Sequence, residues 1–278
     1  MAFFGPAGRS QMLVKYDLLE LPIHLKNMGL NAFEYQCGRG VRISSELASK
    51  FGKAAARDGI AISLHAPYYI SFASRDDEKR LNSLKYILSS AKIVKAMGST
   101  RIVIHPGSIG DYSRKEALCI AKDTLKLAIC ALDEYGYSDV RMCLETMGKV
   151  RQLGTLDEIL ELCKLDERLI PCIDWGHLNS RECGAFKEYS DYEKVLERIE
   201  QELGTERLKE YHSHFSKIEY SKGGERRHLT FSDSVFGPDF EPVLELSRKK
   251  GCEPTFICES DGTQAEDAIV MKNYWENI

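Results

Sequence analysis

The chain has 278 residues, 43% of them hydrophobic and 29% charged, with a formal net charge of −4. These proportions exclude a disordered or fibrous chain, and the length suits one α/β barrel of ~250 residues. No apolar run approaches the ~18 residues of a membrane span, the opening MAFFGPAGRS has neither a basic nor a long apolar region and predicts no signal peptide, and the net charge does not advertise nucleic-acid binding, although bound cations lie outside such a count.

In chain order, apolar runs predict strands near Phe3–Phe4, Ala32–Tyr35, Ile60–Leu64, Arg101–Ile104, Arg141–Leu144, Leu169–Ile173, Tyr211–Phe215 and Thr255–Cys258. Each is followed by a helix candidate. Gly29, Gly59, Gly98, Gly136 and Gly251 close the helical stretches that precede five apolar runs, because glycine accepts the left-handed backbone that ends a helix. Ser113–Glu116 and Thr155–Glu158 are capping-box patterns that open helices. Leu81, Leu84, Leu88, Ala91 and Val94 follow helical spacing between Ser74 and Gly98. Eight such units predict a single-domain (β/α)8 TIM barrel over residues 1–278. An open doubly wound sheet is the alternative, but it would bring only a few strand ends together. The nine cysteines contain no CxxC pair and fall mostly within helical or strand patterns. Reduced thiols in the cytoplasm are therefore expected, not a disulfide framework.

Metal-ligand side chains close six apolar runs: His65, His105, Glu145, Asp174, His214 and Glu259. His65, His105 and Glu145 recur at 40-residue intervals, as do Asp174 and His214. A lone strand-end histidine is more often structural. Ligand-type residues at strand after strand instead predict a polyvalent metal site at the C-terminal face of the barrel. The imidazole and carboxylate set favours zinc, two to three per chain, with manganese able to occupy part of a mixed N/O site. Asp174-Trp-Gly-His177 puts a further ligand on the same turn, against the plainer reading of a helix-capping aspartate. Glu145, buried on its strand, needs a cationic partner. Lys222–His228 reads as a flexible, solvated turn carrying Glu225 and His228. Tyr68, Tyr69 and Arg39 fall on loops after strands three and two, where aromatics either stack on bases and sugars or cap the barrel edge. His24 and His212 read as structural.

The stretches SLHAPYYISF, IVIHPGS, CLET, CIDWGH, HSHFSK and ICES resemble the apurinic/apyrimidinic endonuclease IV family, a trinuclear-zinc barrel of DNA repair. The resemblance runs from about Gly5 to the last helix. It implies that His65 and His105 hold one zinc, that Glu145 bridges it to a second completed by Asp174, His214 and Glu259, and that His177 belongs to a third. Glu145 and Glu259 are then the catalytic carboxylates. Where the family gives the third zinc an Asp-x-His pair, this chain has Glu225-Arg-Arg-His228; where the family's first strand ends in Gly-Ala-His, this chain has Gly5-Pro-Ala-Gly8. It reads as a divergent branch.

The implied reaction is hydrolysis of the phosphodiester 5′ to an abasic site by a metal-bridging hydroxide, on damaged double-stranded DNA and by a monomer. Arg39, Tyr68 and Tyr69 fall where the family inserts side chains into DNA, and Lys217, Lys222, Arg226 and Arg227 are candidates for backbone phosphates. One rival is a single-metal sugar isomerase or epimerase using Glu145, Asp174, His214 and Glu259, which leaves His65 and His105 without a role. The other is a non-catalytic, metal-stabilised DNA-binding protein.

Overall fold

In the computed structural model, which describes residues 1–278, barrel strands and helices alternate: β1 (Phe3–Pro6), α1 (Leu21–Asn27), β2 (Ala32–Gln36), α2 (Ser45–Asp58), β3 (Ala61–His65), α3 (Asp77–Ala96), β4 (Arg101–Ile104), α4 (Arg114–Glu134), β5 (Arg141–Glu145), α5 (Leu156–Cys163), β6 (Leu169–Asp174) and α6 (Trp175–Arg181). Then come α7 (Tyr189–Leu203), α8 (Thr205–Lys209), β7 (His212–Phe215), β8 (Lys217–Ser221), β9 (Gly224–Leu229), α9 (Glu241–Lys249), β10 (Thr255–Cys258) and α10 (Gln264–Asn277). All eight expected strands are present. Both capping boxes form, at Ser113/Glu116 and Thr155/Glu158, and the five helix-closing glycines all have positive φ. No helix is long and apolar enough to cross a membrane, and all nine cysteines are free thiols.

The parallel sheet runs β1-β10-β7-β6-β5-β4-β3-β2. A parallel bridge from Ala7 to Glu34 joins its two ends, with the Gly8 N–H donating to the Glu34 carbonyl at 2.9 Å. The sheet is therefore a closed ring, and the open-sheet alternative fails. Strand residues alternate between two cores. Ile102, Ile104, Met142, Leu144, Leu169 and Ile173 point outward into the main core beneath the helices, whereas Val103, Cys143, Ile170 and Cys172 form a separate small cluster inside the ring.

β8 and β9 form an antiparallel hairpin between β7 and α9. This corrects the expectation of a flexible, solvated turn at Lys222–His228. Only Lys222 and Gly223 are turn; Gly224–His228 is hydrogen-bonded strand, and Gly224, with φ +88°, helps make the tight reversal at Ser221–Gly224.

Ring closure leaves no room at Gly5, where a Cβ would stand 1.9 Å from the Ala32 carbonyl oxygen. Gly5→Ala is expected to force β1 away from β2 and to cost about 2–3 kcal/mol in urea unfolding, in the range of overpacked cores.

Candidate metal centre

The C-terminal strand ends bring the predicted residues together as three adjoining clusters of potential ligands. These are His65, His105 and Glu145; then Glu145, Asp174, His214 and Glu259; then His177, Glu225 and His228. Glu145 belongs to two of them. Its Oε2 lies 3.4 Å from His65 Nε2 and 3.0 Å from His105 Nε2, while its Oε1 lies 3.1 Å from His177 Nδ1 and 3.5 Å from His214 Nδ1. The two Nε2 atoms of His65 and His105 are 3.2 Å apart. Tetrahedral zinc with bonds of ~2.0–2.1 Å has ligand–ligand edges of about 3.3–3.4 Å, so the first cluster already has the required spacing.

Four of the candidate ligands have their other polar atom occupied. The Nδ1 atoms of His65 and His177 hydrogen-bond the carbonyls of Ala66 and Thr146, both at 2.9 Å, which leaves Nε2 of each ring to face its cluster. His228 Nδ1 pairs with Ser216 Oγ at 2.9 Å. Asp174 caps its own helix, Oδ1 accepting from the His177 N–H at 2.6 Å. Oδ1 thus serves the cap, and Oδ2 is left to face the cluster with Glu145, His214 and Glu259. What remains at the site is a set of buried atoms with no hydrogen-bond partner: both Glu145 oxygens, Asp174 Oδ2 and both ring nitrogens of His214. Buried polar atoms are ordinarily paired, and orphans that converge on one another have the donor chemistry of a divalent cation site.

The electrostatics agree. Burial pushes the Asp174 carboxyl up to about 6. Against the opposing effect of burial, Asp174 and Glu145 raise the His177 imidazole to about 10. Burial also opposes ionisation of Glu145, but His105 and His214 hold it well below its ordinary value. Without cations, shared protons are what keep these carboxylates together.

The family model described as xylose isomerase-like TIM barrel matches residues 23–274. The chain belongs to that family. An uncharacterized protein of Methanocaldococcus jannaschii is 34% identical over 276 residues, covering 99% of this chain and 98% of that one. A probable endonuclease 4 of Mycoplasma pneumoniae is 29% identical over 181 residues, 63% of this chain and 60% of the relative. Among solved structures, endonuclease IV from Thermus thermophilus superposes with a TM-score of 0.65 at 17% identity, over 99% of this chain and 100% of that one. An E. coli 3-keto-D-glucoside 4-epimerase superposes at 0.70 with 15% identity over the whole of both chains. The chain is a divergent, endonuclease IV-like branch of this barrel family, and the structural neighbours speak only to the fold.

Glu225 and His228, in altered register for the third cluster, converge with His177: Glu225 Oε2 is 3.4 Å from His177 Nε2, and Glu225 Oε1 is 3.9 Å from His228 Nε2. Tyr68 stacks on His105, with centroids 5.1 Å apart and planes at 19°, and is 55% exposed, so it stands at the mouth. Tyr69 is also exposed and leans on Tyr86. Arg39 lines a cavity of about 370 Å³ with Gln36, Tyr68, His228, Glu259 and Gln264. Lys222 is exposed at the hairpin turn. Arg226 and Arg227 are exposed but share Glu219, and Lys217 donates to the Asp233 carbonyl. His24 stacks on Tyr16, a structural role as expected.

Glu34 is the residue that sequence reasoning missed. It is fully buried inside the ring, where Ser63 Oγ donates to Oε2 at 2.8 Å and His212 Nε2 pairs with the same oxygen at 3.0 Å. Its Oε1 lies 3.1 Å from His214 Nε2. Although burial opposes it, His214 and His212 hold the Glu34 carboxyl well below its ordinary value. The available signal was a carboxylate in the middle of Ala32-Phe-Glu-Tyr35, facing inward at strand periodicity. Glu34 thus faces His214 Nε2 from one side, while Nδ1 points at Glu145 and Glu259, each 3.5 Å away; when a cation takes Nδ1, a carboxylate at Nε2 is the partner that would hold the ring's proton there. Glu34→Gln is expected to weaken divalent-cation affinity by roughly 10–100-fold, read by competition against a chelator.

Proposed function

We propose that this protein is a zinc-dependent DNA-repair endonuclease that hydrolyses the phosphodiester 5′ to abasic sites, acting as a cytoplasmic monomer on damaged duplex DNA. One observation carries the reading. Beside the four-residue cluster that a one-metal sugar enzyme would need, His65 and His105 form a second cluster with Glu145, and His177, Glu225 and His228 form a third. A trinuclear phosphodiesterase uses all of them. A single-metal epimerase leaves five buried or half-buried ligand side chains idle.

Divalent cations bound there would lower the pKa of water and neutralise charge on a phosphate. The chain's own residues supply the rest. Glu145 offers one oxygen to each of two clusters, so it is the group that would hold two ions at a fixed separation. Glu259, whose side chain is 15% exposed against none for Glu145 and Asp174, faces the mouth where a phosphate would enter. The 370 Å³ cavity beside it has the volume of a small-ligand site, and Arg39, Gln36 and Gln264 would bind the sugar and phosphate of an extruded nucleotide. Tyr68 and Tyr69 would occupy the space that nucleotide vacates. A nucleotide without a base costs less to extrude than a paired one, so selection begins before any contact with the cations. Lys217, Lys222, Arg226 and Arg227 would follow the phosphate backbone, Arg226 and Arg227 exchanging Glu219 for DNA.

The decisive experiment combines metal content with incision of an abasic-site duplex under chelator control. About three zincs per chain are expected, together with chelator-sensitive strand cleavage that leaves a 3′-hydroxyl. Glu145→Gln should lose the several kcal/mol of transition-state stabilisation that metals supply, at least about 10²-fold in rate. One metal per chain with aldose or ketose epimerisation would overturn the proposal in favour of the sugar enzyme, and metal-dependent binding to such DNA without cleavage would favour the binding protein.

Phosphate binding is tested through salt. Lys222→Ala is expected to weaken DNA binding uniformly across sequences and to flatten the slope of log affinity against log salt by about 0.9, the value for one phosphate no longer neutralised.

A further inference from the structure

The third cluster differs from the other two in what carries it. His177 sits on α6, whereas Glu225 and His228 sit on a hairpin that belongs to no barrel strand. The hairpin docks on the loop after β5. Lys149 bridges Gly224, the Glu225 N–H donates to the Gly148 carbonyl at 3.2 Å, and the Val150 N–H donates to the Gly223 carbonyl at 3.2 Å. Gly148 is wedged between the two ligand-bearing elements. A Cβ there would meet Glu225 Cβ at 2.7 Å and His177 Cδ2 at 2.8 Å. The conformation of this loop therefore sets the distance between His177 and its two partners.

One side chain holds the loop from the α6 side. Arg181 is 8% exposed and lies one helical turn beyond His177. Its Nη1 donates to the carbonyls of Met147 and Lys149 at 3.0 and 2.8 Å, and its Nη2 to those of Val150 and Gln152 at 2.9 and 3.3 Å. No carboxylate pairs with it. Burying a guanidinium costs several kcal/mol unless its donors are satisfied, and here backbone carbonyls alone satisfy it. From α4, Arg114 donates to two of the same carbonyls, Val150 and Gln152, but has no covalent link to His177.

We propose that Arg181 is a positioning residue for the third cation: its fork ties the helix that carries His177 to the loop on which the hairpin with Glu225 and His228 is docked. The inference rests on the three-cluster reading above. A lysine at this place keeps the charge but cannot reach four carbonyls from one ammonium, so the loop and hairpin would shift relative to α6 while the barrel-borne clusters stay put.

The test measures zinc content and chelator competition on the full chain for wild type, Arg181→Lys and Arg181→Gln. The expected result is three zincs in wild type and two in both variants at matched free zinc. Affinity at the third site should fall roughly 10–100-fold, with the two tighter sites unchanged. A merely structural role would instead lower all three occupancies in proportion to the folded fraction. Variants that keep three zincs at wild-type affinity, lose all three together or fail to fold overturn the inference while the function reading stands. A wild-type chain that holds a single cation overturns both.

Discussion

Four carboxylates crowd the mouth and upper interior of one barrel, and only positive charge lets them stay. Glu34, Glu145 and Asp174 are fully buried, and Glu259 is nearly so. Such groups are tolerated inside a protein only when paired. Five histidines surround them, yet the ring nitrogens face the carboxylates without the alignment that would satisfy Glu145 or Asp174 Oδ2. The orphaned atoms are therefore a consequence of the arrangement. Side chains set at ligand–ligand distances around an ion are poorly placed to hydrogen-bond one another. The raised His177 pKa has the same origin, since protons supply the charge that the carboxylates demand.

The barrel explains why so many ligands can meet. Parallel strands deliver the last inward-facing residue of each to a common rim, and the ring closes only because Gly5 lets β1 lie against Ala32 of β2. Closure also brings Glu34 of β2 within reach of His212 and His214 of β7, 178 and 180 positions further along the chain, across the interior of the ring. The two clusters borne by strand ends and adjoining turns thus inherit the rigidity of the sheet. The third does not, because two of its three ligands stand on an inserted hairpin.

That division follows what was legible in the sequence. His65, His105, Glu145, Asp174 and Glu259 end short apolar runs, so the strand period alone announces where they point. His214 was less tidy because His212 shares its strand and its inward face; both meet Glu34, and what distinguishes His214 is that its Nδ1 also faces Glu145 and Glu259. Glu34 was legible as an inward-facing carboxylate but not as a member of the site: nothing local tells a mid-strand carboxylate whom it will meet 178 residues later. Glu225 and His228 were visible as residue types but not as a structure. KGGERRH reads as a polar turn, and its strand character comes from pairing with β8, while the hairpin as a whole docks onto the loop at Gly148–Val150. Arg181, on a helix of seven residues, looks like any surface arginine until the carbonyls it reaches are known.

The same scaffold can hold a sugar epimerase or a nuclease, and fold similarity is silent between them. Glu145, Asp174, His214 and Glu259 would suit one metal in either chemistry. What separates the two is whether Glu145 acts through one oxygen or two. In a one-metal site its Oε2 would be surplus and buried, a costly arrangement with His65 and His105 held beside it at 3.4 and 3.0 Å. Under the proposed reading both oxygens have work to do, because each faces a distinct ligand cluster. Phosphodiester hydrolysis has a use for adjacent cations, which can flank the attacking and leaving oxygens of one phosphorus. Proton transfer on a ketose has no second oxyanion of that kind to stabilise. The two faces of Glu145 are therefore the feature on which the assignment of chemistry to this barrel turns.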